Sequence, residues 1–262
     1  MRATTMTTGT IALVLLAGCS PATWTLEIWG EEFIEEGIPA AEFEDGCSVV
    51  FDHFLVAVAD PGLIGGSGSP VSELSSNTLW DVALAGPHII GSSEVPPTTY
   101  SRVDLTVGPV SATSVSGNAA DEQLPLMADG PWSVHVAGEL TCPGSTVSFA
   151  WGFDTSTTYL CEPEFTLASG GAGSTQFTVH GDHLFYDALE DPEAALRGQA
   201  LVDADDGDGD LTLEELRAVG LAALGDYDVG GASEVDNLAA FVESLTTSVG
   251  HVDGEGHCGV GL

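Results

Sequence analysis

The feature that most restricts how this chain can fold is a series of short runs with a two-residue hydrophobic period, closed off by Gly, Pro, Ser and Asn. They include TWTLEIWG from Thr23, CSVVFDHFLVAVAD from Cys47, SRVDLTVGPV from Ser101, WSVHVAGELTC from Trp132 and STVSFAWGF from Ser145. Successive side chains of a strand point to opposite faces of a sheet, so these runs bury one face and wet the other. They are rich in β-branched and aromatic residues, and turn formers separate them. The pattern predicts a β-sandwich of seven or more strands over residues 19–179, with residues 176–179 as one further strand after the small-residue loop 170–174.

From Asp187 onward the pattern changes to helix and loop, so the fold class expected is mainly β with a C-terminal helical part, residues 187–262. Asp191-Pro192-Glu193 is a good helix start, with an acidic cap and proline in the first turn. Ala195, Leu196, Ala200 and Leu201 would carry that helix, weakened by roughly 1 kcal/mol at Gly198. A further helix is expected after Ser233, with Val235, Leu238, Phe241, Val242 and Leu245 on one apolar stripe.

Between these helical segments lies LVDADDGDGDLTLEEL, from Leu201 to Leu216. Calcium takes six to eight oxygen ligands, which a short loop supplies when carboxylates recur at every second residue and a later acid closes the site. The segment closely resembles an EF-hand calcium loop. Counted from Gly209 as the turn glycine, the resemblance puts Asp206, Asp208 and Asp210 at the third, fifth and seventh places and Glu215 at the twelfth. Asp210 would then ligate through its carbonyl, Thr212 would take the water-mediated place, and Leu211 would pack beneath the loop. Ala204 stands where the first Asp belongs. A bulged loop with Asp203 as first ligand is the preferred reading, and Asp205 is the alternative. Thr212 and Glu215 also form a T-x-x-E capping box, so Glu215 can start a helix without metal. A fainter likeness at residues 226–231 fails, because Ser233 and Asn237 occupy the apolar and closing-acid places.

The first residues carry one charge, Arg2, then a short apolar run over residues 11–17 and the sequence Leu16-Ala17-Gly18-Cys19. That ending resembles a bacterial lipobox. The resemblance implies that residues 1–18 are a lipoprotein signal peptide, that Cys19 is acylated and anchors the chain to a membrane, and that Ser20 directs it to the outer membrane of the cell envelope. The apolar run is far short of the roughly 20 residues a spanning helix needs. Four cysteines remain, Cys47, Cys142, Cys161 and Cys258, an even number for an oxidising compartment. Two disulfides are expected, with Cys142 to Cys161 across a plausible hairpin and Cys47 to Cys258 joining the ends.

Forty acids stand against four basic residues, a formal net charge of −36. Such a surface repels nucleic acid and anionic headgroups and attracts divalent cations. Membrane contact is therefore expected through the lipid alone, and no motif names a protein or glycan partner. With 44% hydrophobic and only 17% charged residues, the chain has enough apolar material for a core and is not expected to be disordered.

Four of the seven histidines form two groups, His180 with His183 and His251 with His257. With Asp182, Asp253 or Glu255 they are candidates for a copper or zinc site, since neutral imidazole suits both metals. His53, His88 and His135 stand singly in strand-like runs and are expected to pack. The chain has no G-x-S-x-G elbow, no H-E-x-x-H and no glycine-rich phosphate loop, so catalysis is not expected. The function this points to is a lipid-anchored exported protein holding one structural calcium ion. A copper or zinc protein is the alternative, and a metal-dependent hydrolase ranks below both.

Overall fold

In a computed structural model of the chain, the structure describes residues 20–66, 68–74, 77–254, 256 and 258–261. The expected signal peptide, Cys19, Glu255 and His257 lie outside the described residues. The fold is mainly β, sandwich-like, with a few helices mostly toward the C-terminus, as the two-residue period requires.

A four-stranded sheet is ordered Gly250–Val252, Ala172–Val179, Ala22–Trp29, His88–Val95. Its first strand in sequence runs parallel to Ala172–Val179 and antiparallel to His88–Val95. The main path of the larger sheet runs Asp210–Leu211, Ser145–Phe153, Val134–Cys142, Ser48–Ile64, Val103–Val107, Thr157–Cys161, Cys258–Gly261. Ser48–Ile64 is its spine. That strand pairs with Val134–Cys142, Val103–Val107, Asn77–Asp81 and Pro70–Glu73 in turn, and it changes register at three irregularities that let it curl. One core joins both sheets to the helical part, with Ile28, Phe54, Val136, Trp151 and Phe177 from strands packed alongside Leu216, Leu238 and Phe241 from helices.

The disulfides join Cys47 to Cys142 and Cys161 to Cys258, which corrects both expected pairings, Cys142 with Cys161 and Cys47 with Cys258. Cys142 does end the strand of a tight hairpin, but the strand that ends at Cys161 crosses to pair with Val103–Val107. Three strand spacings, about 14 Å, then separate the strands of Cys142 and Cys161, beyond the reach of an S–S bond. Each disulfide instead bridges neighbouring antiparallel strands. Cys161 lies opposite Cys258 in register, and Cys47 precedes the Ser48 to Thr141 pairing beside Cys142.

The helix expected from Asp191 is a single turn, Gln199–Val202, with Gly198 as its N-cap. Upstream, Leu196 forms bridges to Phe43 and Tyr186, and Arg197 donates to the Asp187 carboxylate at 2.7 Å, which holds that stretch extended. The last helix is Leu238–Leu245, capped by the Asn237 side-chain Oδ1, which accepts from the Ala240 N–H at 3.0 Å. Val235 lies before it, while Leu238, Phe241, Val242 and Leu245 are buried as the stripe predicts. No helix among the described residues is long and apolar enough to cross a membrane.

Candidate metal centres

The acidic loop runs from the end of Gln199–Val202 to the helix Leu213–Ala218. Its far end is seated in the larger sheet, where Asp210–Leu211 pairs parallel with Ser148 and Phe149 and Leu211 is fully buried. Gly207 and Gly209 have φ of 105° and 83°, a left-handed backbone that folds the loop back on itself without the strain a side chain would add there. The Asp205 carboxylate accepts from the N–H groups of Gly207 at 3.1 Å and Gly209 at 3.0 Å. Glu215 reaches back, accepting from the N–H of Asp206 at 2.8 Å and, with its other oxygen, from the Thr212 N–H and hydroxyl, each at 2.8 Å. These bonds, those from Thr212 and Asp206 N–H foremost, hold its carboxyl below the usual carboxylate range. The capping box of Thr212 and Glu215 is present in both directions.

Asp205, Asp206, Asp208 and Glu215 each offer a carboxylate oxygen within 4.8 Å of the other three. Asp203 is not among them. Its N–H closes the preceding helix on the Gln199 carbonyl, and its side chain accepts from the Gln199 amide at 2.8 Å, so it stays with the helix, while the Asp205 carboxylate lies in the group. The Asp210 side chain is also outside the group.

The second centre is built by strand pairing. His251, in Gly250–Val252, lies opposite Thr178 of Ala172–Val179, and the His180 N–H donates to the Val249 carbonyl at 2.8 Å. His183 follows in the short 3-10 turn Asp182–Phe185. The three imidazoles each offer a ring nitrogen within 4.8 Å of the others, and His180 stacks on His251 with ring centroids 4.2 Å apart. They border a cleft of about 570 Å³, also lined by Glu31, Asp182 and Tyr186. Burial, and secondarily the neighbouring His180, lower the His183 pKa to about 4 against a bond to Ser248 that raises it, so this ring is neutral at pH 7.

Glu31 had no signal in the sequence. It follows the strand Ala22–Trp29, whose parallel pairing of Trp29 with Thr178 brings Glu31 and His180 to the same end of the sheet. The Glu31 Oε2 to His180 Nε2 distance is 3.6 Å. The single histidines also conceal a pair, in which a His53 Nε2 to His135 Nδ1 hydrogen bond of 2.8 Å joins rings 82 residues apart on neighbouring strands. No family model, curated protein or solved structure matches the chain.

Proposed function

We propose that the chain is an exported, lipid-anchored protein of the bacterial cell envelope that binds one calcium ion through the loop 205–215, and that the ion acts on structure. The observation that carries the reading is the convergence of the Asp205, Asp206, Asp208 and Glu215 carboxylates within 4.8 Å of one another on a loop whose end is locked into the sheet. Like charges at that separation repel, and a hard divalent cation with oxygen preference relieves them. The ion would tie the turn Gln199–Val202 and the helix Leu213–Ala218 to the sandwich. Extracellular calcium near millimolar fills a site with a dissociation constant on the order of 0.1 to 1 mM. The lipid anchor rests on the lipobox resemblance at Cys19, and mass spectrometry of the N-terminal peptide tests it.

The calcium reading is tested by calorimetric titration of the chelator-stripped full-length chain, beside Glu215→Gln and Asp205→Asn. One saturable equivalent in the wild type, lost in both variants, supports it. Absence of binding below about 5 mM, far above the range expected for an extracellular site, would sink it, and so would binding indifferent to both substitutions.

A further inference from the structure

We propose that His180, His183 and His251, completed by Glu31, form a zinc(II) site opening on the cleft, separate from the acidic loop and independent of whether that loop binds calcium. Three observations carry it.

The first is the protonation pattern around His183. The Ser248 hydroxyl donates its proton to the Leu245 carbonyl at 2.9 Å, so toward His183 Nδ1, 3.1 Å away, its oxygen can only accept. His183 therefore carries its proton on Nδ1 and presents the Nε2 lone pair, the tautomer a metal needs, with Ser248 orienting the ring from behind.

The second is a pair of buried atoms without partners. His180, Asp182 and His183 are only 7%, 9% and 8% exposed, yet His180 Nε2 and Asp182 Oδ1 have no hydrogen-bond partner among the described residues. Histidines that served only as packing would have their nitrogens satisfied, because an orphaned buried polar group is costly. Here His180 Nε2 faces Glu31, and His180 Nδ1 lies 3.9 Å from Asp182 Oδ1. The other Asp182 oxygen is fixed by the Tyr186 hydroxyl at 3.0 Å. A metal on Nε2 would draw the Nδ1 proton toward Asp182, giving the carboxylate–histidine–metal arrangement with Tyr186 behind it.

The third is spacing. Tetrahedral zinc with bonds of about 2.0–2.1 Å sets its ligands about 3.3 Å apart, and the 3.6 Å between Glu31 Oε2 and His180 Nε2 is close to that edge. Glu31 is held with φ of 55°, a left-handed conformation that costs a non-glycine residue energy and that clusters at ligand sites. Three imidazoles and a carboxylate form a nitrogen–oxygen donor set suited to zinc. Cys258, which also lines the cleft, is committed to its disulfide and supplies no thiolate.

The test is zinc titration of the full-length chain against a chromophoric competitor, with calcium saturating so that the acidic loop is not the acceptor, and with cobalt(II) as an optical probe. One zinc equivalent tighter than about 1 µM is expected, with the intense visible band of tetrahedral cobalt, displaced by zinc. His180→Ala and His183→Ala should each weaken zinc by more than ~100-fold and Glu31→Gln by ~10-fold, while Glu215→Gln leaves it unchanged. Should a histidine variant fail to fold, judged by circular dichroism, the cobalt spectrum of the wild type still decides. A wild type without tetrahedral cobalt and without zinc binding tighter than about 100 µM, or zinc binding retained in the folded histidine variants, overturns the site.

Discussion

The Trp151 indole N–H donates to the Leu211 carbonyl across 2.9 Å, and both residues are fully buried. This bond joins the middle of the sandwich to the end of the acidic loop, beside the pairing of Phe149 with Leu211. The loop is thus anchored to the large sheet through its backbone as well as by the apolar side chain beneath it.

Trp151→Phe keeps the aromatic bulk but removes the indole hydrogen bond to the buried Leu211 carbonyl. Stability should fall by about 1–3 kcal/mol in denaturant melts, and calcium affinity should fall severalfold because the loop loses its preset shape. A variant destabilised to this extent with calcium affinity unaltered would show that the anchor does not order the site.

Gly198→Ala offers a change of sign. In the helix interior that the sequence suggests for this position, Ala would be better than Gly by about 1 kcal/mol. In the fold, a Cβ at Gly198 would lie 2.8 Å from the Cys47 Cβ, 2.9 Å from its Sγ and 3.0 Å from Leu140, so the helix turn would be pushed off the disulfide. We expect the substitution to destabilise by about 1–3 kcal/mol, read from the shift of the chemical denaturation midpoint. A stabilised variant would mean that the turn is not pressed against Cys47.

The His53–His135 pair should make the protein acid-sensitive. Burial, then the neighbouring His53, lowers the His135 pKa from 6.5 to about 4, and burial also lowers that of His53 against the opposing charges of Asp81 and Asp52. A base with a lowered pKa in the fold binds its proton more readily when unfolded. Its contribution is therefore fully present above pH 6.5 and is lost as pH falls toward 4. Relative to His135→Gln, the wild type should lose up to about 3 kcal/mol between pH 7 and pH 4. Equal pH profiles for the two proteins in urea melts would contradict this.

The strand runs were legible because their period is local: Thr23, Trp24 and Leu26 already announce a strand with one buried face. The clustering of Asp206, Asp208 and Glu215 was legible for the same reason, since a loop that gathers carboxylates within a dozen residues writes their spacing in sequence. The entering helix was overread, because the bridges of Leu196 to Phe43 and Tyr186 are tertiary and outweigh the propensity of its neighbours. Cys142 and Cys161 misled by proximity, as the connection between their strands changes neighbours within the sheet. Glu31 and the His53–His135 pair were invisible, because each partnership depends on register between strands far apart in the chain.

The first strand has a consequence for the order of assembly. Ala22–Trp29 finds its two neighbours in His88–Val95 and Ala172–Val179, and Trp24 and Leu26 are buried only once those are in place. A chain emerging from its N-terminus therefore presents this strand early and completes it late, since its parallel partner appears some 150 residues after it. Until then it offers open backbone edges and an indole to any other chain nearby, the conditions that favour strand-to-strand association.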